Sequence, residues 1–221
     1  MLVPELKKVA YDPARFIDIE TVEEAAHIIV TPTEGMTVKQ RWDEETPALI
    51  ALMEPYINQG DLVLDYGCGI GRLSKPLIQK LDCKVVGVDI SPNMRALATS
   101  LVDSAAFIAC DPSMFDLIFF GQANKFNAVI AVWALQHCID LRDALNRIAY
   151  VLKPEGKLFV VNNHTRCLPV EGGEWADDGI DVNEMILDHG FDSITFKQKL
   201  DEAIAPGWMQ NGTFWAAYQR K

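Results

Sequence analysis

Nothing in these 221 residues approaches the about 20 consecutive apolar residues that cross a bilayer. The first residues, Met1-Leu2-Val3, run directly into Pro4, Glu5, Lys7 and Lys8, so no signal peptide is expected there. Basic residues are in deficit: 20 against 31 acidic ones, a formal charge of −11. Nucleic-acid backbones are gripped by lysine and arginine, and no basic cluster exists beyond the pairs Lys7-Lys8 and Arg220-Lys221. A nucleic-acid partner is therefore not expected, nor a membrane. The five cysteines (Cys68, Cys83, Cys110, Cys138, Cys167) are odd in number and lack C-x-x-C spacing. That pattern points to a reduced, cytoplasmic protein without a zinc site or other metal. The length suits one large domain, or one domain with a small appendage.

What is present centres on Val63-Leu64-Asp65-Tyr66-Gly67-Cys68-Gly69-Ile70-Gly71-Arg72-Leu73. The apolar run Leu62 to Leu64 reads as a strand buried on both faces. An acid follows, then three alternating glycines, then an amphipathic pattern: a strand, a tight turn and a helix N-terminus. Glycine is required where the chain turns sharply or where backbone must approach a ligand. The spacing is G-x-G-x-G and not the G-x-G-x-x-G of dinucleotide folds, and Asp65 would repel a pyrophosphate held over that helix end. A ligand carrying an amino group would be attracted instead.

With its acid-x-G-x-G-x-G form, the stretch resembles the first motif of class I S-adenosylmethionine-dependent methyltransferases. Further along, Gly87-Val88-Asp89-Ile90-Ser91 is similar to that family's second motif. The resemblance covers roughly residues 46–221. It implies a Rossmann-like α/β domain with a seven-stranded, mostly parallel sheet whose last strand is antiparallel. It also implies S-adenosylmethionine as cofactor, S-adenosylhomocysteine as product, and cofactor contacts from Asp65, Gly67, Gly69 and Gly71. Asp89, at the tip of strand two, would accept from the ribose hydroxyls, with Ile90 beside it. Asp111, followed by Pro112, would accept from the adenine amino group, and Met114 or Phe115 would cover the adenine. Residues 1–45 are expected to form a separate helical cover, in which Arg41 pairs with the cofactor carboxylate and Trp42 walls the pocket.

The secondary pattern supports this order. Thr21 with Glu24 makes a capping box for a short helix to Val30, and a second helix is expected from Thr46 to Ile57 with Pro47 at its first position. After the glycines, Pro76 interrupts an apolar stripe. Either the helix is kinked there, or the loop runs on and the helix begins near Lys75-Pro76. Strands are expected at 84–89, 105–109, 126–132 and 157–161, and helices at 115–123 and 141–152. Asn162 to Ile180 carries Gly172-Gly173 and Trp175 without periodicity and reads as a long substrate loop. A helix from 182 to 189 and two last strands complete the sheet.

Trp133-Ala134-Leu135-Gln136-His137 follows strand four, where the family presents its reactive centre; Trp133 would touch the cofactor. No [DNS]-P-P-[YF] and no Pro-Cys pair follows that strand, which opposes methylation of nucleic-acid bases. A small-molecule acceptor is the expectation. His137 is the candidate general base, because histidine titrates near working pH, and His164 is a second. A non-catalytic cofactor-binding module, or an NAD(P)-dependent oxidoreductase, is the alternative reading.

Overall fold

The computed structural model describes residues 11–32, 35–119, 121–201 and 207–221. In chain order the elements are α1 (Ala14–Ile17), α2 (Val22–Ile29), α3 (Val38–Met53), β1 (Leu62–Tyr66), α4 (Ser74–Leu81), β2 (Lys84–Val88), α5 (Pro92–Val102), β3 (Phe107–Cys110) and α6 (Pro112–Phe119). They continue with β4 (Phe126–Val132), α7 (Leu141–Val151), β5 (Leu152–Asn163), β6 (Thr165–Val170), β7 (Glu174–Asp181), α8 (Val182–Asp188), β8 (Phe191–Lys197), α9 (Trp208–Gly212) and β9 (Thr213–Arg220).

Seven strands form one sheet in the order β3-β2-β1-β4-β5-β9-β8, parallel throughout except for β9, which runs antiparallel to both neighbours. This is the expected Rossmann-like arrangement. After β1 the chain builds outward through β2 and β3, then returns to lay β4 on β1's other side. The reversal leaves a crevice over the carboxyl ends of β1 and β4, where ligands of open α/β sheets bind. Both faces of β1 are buried, as its continuous apolar run requires. Leu64 packs in one layer with Val129, Leu145 and Phe214, and Val63 packs in the other with Leu49, Ile50 and Leu77.

Several element boundaries differ from the sequence expectation for identifiable reasons. The capping box of α2 forms, with Glu24 N–H donating to Thr21 Oγ1 at 3.2 Å. A second box at Thr37 and Gln40 starts α3 eight residues before Thr46, so Pro47 lies inside the helix and the expected division at residue 45 falls within it. The ambiguity at Pro76 resolves in favour of the longer loop. In a helix starting at Ser74, Pro76 is the third residue, and its missing N–H is one that would have had no intrahelical partner. The helix expected at 115–123 instead starts at Pro112, because Asp111 accepts from the N–H groups of Ser113 and Met114, at 2.9 Å each. Glu155, just before Gly156, occupies a left-handed conformation (φ +62°).

The stretch read as a long loop is largely a hairpin, β6 against β7, turning at Gly172-Gly173 with positive φ at both. The buried Arg166 anchors it, donating to the carbonyls of Cys138 and Ile139 at 2.8 Å and pairing with Asp178. Tyr11 bridges Val170, and Asp12 N–H donates to Pro169 O at 3.0 Å, so the N-terminal segment and the hairpin are one piece.

Candidate active site

A cavity of about 730 Å³ lies over the carboxyl ends of β1, β2 and β4, walled by the N-terminal segment, α2, α3 and the β6–β7 hairpin. The glycine turn forms its floor. Gly67 has φ +80°, and a Cβ there would lie 2.4 Å from the Cβ of Ala134. Gly69 has φ +52°, and its N–H donates to Asp89 Oδ2 at 2.9 Å. Gly71 (φ +77°) does not line the cavity; a Cβ there would meet Val102 of α5 at 2.5 Å, so its glycine serves helix packing.

Two carboxylates face the glycine-turn end of the cavity. Asp65 is buried, accepts from Ser74 Oγ at 2.6 Å, and has its pKa pushed from 3.8 up to about 6, first by loss of solvent. Asp89 binds Gly69 N–H through one oxygen and Ser91 N–H through the other, also at 2.9 Å. Burial raises its pKa against the pull of those two hydrogen bonds. Each oxygen keeps a second acceptor site. Ile90 and Pro112 line the cavity beside it. Asp111 does not: its side chain caps α6 and lies 4.0 Å from Arg95. Phe115 is wholly in the core, and Met114 is exposed outside the lining.

Arg41, expected to pair with a cofactor carboxylate, lies on the cavity lining within a network the sequence reading did not include. Glu45 receives Arg41 NH2 at 2.6 Å, Arg72 NH2 at 2.9 Å and the Trp133 indole N–H at 3.1 Å. Arg41 also donates to Thr31 O at 2.5 Å. All three charged residues are at most 4 % exposed. Two guanidinium groups thus share one carboxylate, and Arg41 Nε and Arg72 Nη1 find no hydrogen-bond partner among the described residues. The network carries two positive charges against one negative, a net positive charge held at this end of the cavity. Trp42 does not wall the cavity; it packs beside Ile70 and Met94, with the Arg72 guanidinium 5.5 Å over its ring.

Trp133 lies on the lining with φ +57°, a strained conformation for a bulky residue. His137 lines the cavity too, but its ring nitrogens are both engaged. Nδ1–H donates to Cys167 O at 2.5 Å, and Nε2 accepts from the Gln136 amide at 3.0 Å. Burial lowers its pKa to about 4. That corrects the expectation of a general base: the ring is neutral, weakly basic, and its free lone pair is occupied. It lies 5.2 Å from Phe16 and 4.9 Å from Trp175, centroid to centroid. His164 bonds Gln198 O at 3.2 Å and is not part of the lining.

Folding therefore assembles Arg41, Asp65, Gly67, Gly69, Asp89, Ile90, Pro112, Trp133 and His137, and leaves Trp42, Gly71 and Asp111 outside. Sequence reasoning missed Glu45, Arg72, Tyr11 and Phe16. Glu45 stands at i+4 from Arg41, a helical pairing distance that carried a signal. Arg72 directly follows the glycine triplet. Nothing local marks Tyr11 or Phe16. No group of three or more His, Cys, Asp or Glu side chains suited to a metal occurs among the described residues, and no helix among them is long and apolar enough to cross a membrane.

Residues 64–160 match a family described as a methyltransferase domain. A ubiquinone biosynthesis O-methyltransferase of Bradyrhizobium diazoefficiens is 34 % identical over 119 residues, 52 % of this chain and 46 % of that protein. A sterol 24-C-methyltransferase of Saccharomyces cerevisiae is 32 % identical over 129 residues, 53 % of this chain and 33 % of that protein. The chain thus spans about half or less of the length of these relatives. Among solved structures, an S-adenosylmethionine-dependent methyltransferase from Mesorhizobium loti superposes with a TM-score of 0.62 at 16 % identity, covering 81 % of this chain and all of that one. At that identity the likeness concerns the fold.

Proposed function

We propose that the chain is a class I S-adenosylmethionine-dependent methyltransferase that moves a methyl group from S-adenosylmethionine to a small-molecule acceptor, with S-adenosylhomocysteine as product. The observation carrying the reading is the buried network in which Arg41 and Arg72, both on the lining of the cavity that holds Asp89, share the single carboxylate of Glu45. The amino-acid end of the cofactor has the carboxylate that pair lacks and an ammonium suited to Asp65. Its ribose has two hydroxyls for the remaining acceptor sites of Asp89.

The residues present therefore fit the cofactor, which when bound supplies a methyl group on a positively charged sulfur. This chain's own part is to bind, orient and exclude water; alignment alone is worth up to roughly 7–11 kcal/mol in such reactions. His137 acts as wall and not as base, since both its nitrogens are used. The acidic surface opposes a nucleic-acid acceptor. The relatives named above are a ubiquinone biosynthesis O-methyltransferase and a sterol 24-C-methyltransferase, which favours a small molecule here. The scattered free cysteines favour a reducing, cytoplasmic setting.

Calorimetry with S-adenosylmethionine, S-adenosylhomocysteine and NAD tests the cofactor. The first two should bind and NAD should not. Asp89→Ala should lose on the order of a hundredfold in affinity or more, the worth of two charge-assisted hydrogen bonds. A change within threefold would remove Asp89 from the ribose site. Methyl transfer to a metabolite extract, run beside total RNA and denatured protein, then tests the acceptor. Label in RNA or protein alone sinks the small-molecule reading, and label nowhere favours a binding module.

A further inference from the structure

Beyond the ends of β4 and β5 the cavity changes character. The Glu45 network and the two aspartates lie at the glycine-turn end. The opposite end is walled by Tyr11 and Phe16 from the N-terminal segment, His137 and Cys138 after β4, and Cys167 and Trp175 from the hairpin. Phe16, His137 and Trp175 form a continuous aromatic group, with ring centroids 4.9, 5.2 and 6.0 Å apart. The bridge between Tyr11 and Val170 fastens the two segments that supply Phe16 and Trp175, so the wall has a built position.

The ionisable groups in the aromatic wall are neutral, and the charged ones stand at the rim. His137 is neutral, as its two hydrogen bonds require. Burial pushes the Tyr11 hydroxyl and the Cys167 thiol up, and the Cys138 thiol up to about 12, so none carries charge at neutral pH. Arg147 at the rim is held by Asp116 and Asp143, each at 2.9 Å, and by the Tyr66 hydroxyl at 3.3 Å. Asp140 caps α7 through the Asp143 N–H at 2.9 Å. Arg15 stacks over Trp175, 4.9 Å from the ring centroid, but does not line the cavity. On the described lining at this end the one cation, Arg147, is already paired, and the carboxylates Asp140 and Asp143 stand exposed at the rim, away from the stacked rings.

The geometry points to an acceptor that is an uncharged, ring-bearing apolar molecule, stacked on Phe16, His137 and Trp175. This inference rests on the methyltransferase reading and narrows its acceptor class. Aromatic rings gain from offset or edge-to-face packing on such a wall, while a charged group set against it would find no counterion among the rings. Phe16 and Trp175 are then specificity-determining residues, supplied from outside the Rossmann-like sheet.

Three probes sharing one ring system test this: 2-naphthol, 2-naphthyl phosphate and 2-naphthylmethylammonium, each titrated into the protein saturated with S-adenosylhomocysteine. The neutral probe should bind at least about tenfold tighter than either charged one, a difference of roughly 1.4 kcal/mol. Trp175→Ala should weaken 2-naphthol by about three- to tenfold, the usual worth of one aromatic contact, and leave S-adenosylhomocysteine affinity unchanged. Trp175 is 41 % exposed near the hairpin turn, so the variant is expected to fold. Phe16→Leu gives an independent check on the same wall. Equal or tighter binding of a charged probe would overturn the inference, as would no measurable 2-naphthol binding or unchanged affinity in both variants. If S-adenosylhomocysteine itself does not bind, the titrations are run on the free protein. Tight 2-naphthol binding there would keep the wall and reject the cofactor reading alone.

Discussion

The indole N–H of Trp133 donates to Glu45 Oε1 at 3.1 Å, joining residues 88 positions apart in the chain. The same oxygen accepts from Arg72 at 2.9 Å, so one carboxylate ties α3 to the glycine turn and to the strained residue ending β4. Strain of this kind persists only where surroundings over-determine it, and Glu45 is one of the groups that do so here.

Glu45→Ala would leave two buried guanidinium groups without a counter-charge. It should destabilise the protein by about 3–5 kcal/mol in urea unfolding. Arg72→Met removes one of those charges and should separate two ligands. Affinity for S-adenosylmethionine should fall, while affinity for 5′-methylthioadenosine, which lacks the amino-acid portion, should stay the same. An equal loss for both would show that Arg72 does not meet the carboxylate.

Gly67 and Gly69 should behave differently despite sharing positive φ. A Cβ at Gly67 meets Ala134 Cβ at 2.4 Å, with the Ala134 Cα behind it, whereas one at Gly69 meets the flexible end of Ile29 at 2.8 Å. Left-handed backbone costs each alanine about 1–2 kcal/mol, and overpacking adds about 1–3 kcal/mol where the neighbour cannot move. Gly67→Ala should therefore show the larger fall in thermal midpoint, and Gly69→Ala should fold but bind cofactor weakly. Adding Ile29→Ala to Gly69→Ala should recover stability. No recovery would mean that Ile29 is not what the new methyl group meets.

Asp65 makes stability depend on pH in an unusual direction. Its folded pKa, about 6, lies above the ordinary 3.8, so between those values the folded state holds the proton and the unfolded state releases it. Rising pH across that window therefore weakens folding, by on the order of 3 kcal/mol in total. Asp65→Asn should be nearly neutral at pH 4 and increasingly stabilising up to about pH 6, with no further gain above. Urea unfolding of both proteins across this range isolates the effect, because His137 shifts the other way in each. A pH-independent difference would mean that Asp65 is not desolvated in the folded protein.

Local chemistry wrote the parallel sheet and most of one site into the chain. The apolar runs at 62–64, 84–88 and 126–132 are too short for helices and too apolar for an exposed strand, so they had to be central. Acids after β1 and β2, and glycines where φ must be positive, followed from the same local rules and put Asp65, Gly67, Gly69 and Asp89 where they are found. Boundaries were less legible when two signals competed. At α3, Pro47 was a plausible first residue, but the Thr37–Gln40 box supplied hydrogen bonds earlier and won. The β6–β7 hairpin escaped notice because Arg166, held by loop carbonyls far from its own strand, anchors it in place of an alternating apolar pattern.

Tertiary structure alone decided the rest of the site. Whether Asp111 faces a ligand depends on whether it is consumed as a helix cap, and whether His137 is a base depends on what its two nitrogens meet. Trp42 and Arg41 are adjacent on one helix, yet a turn of about 100° per residue sends one to the cavity and the other to a packed cluster. Tyr11 and Phe16 join Trp175 through a backbone bridge across more than 150 residues. Periodicity and turn chemistry report on neighbours within a few residues. Net charge in a buried network, the protonation of a desolvated ring and the shape of a cavity arise from groups that only the folded chain brings within a few ångströms.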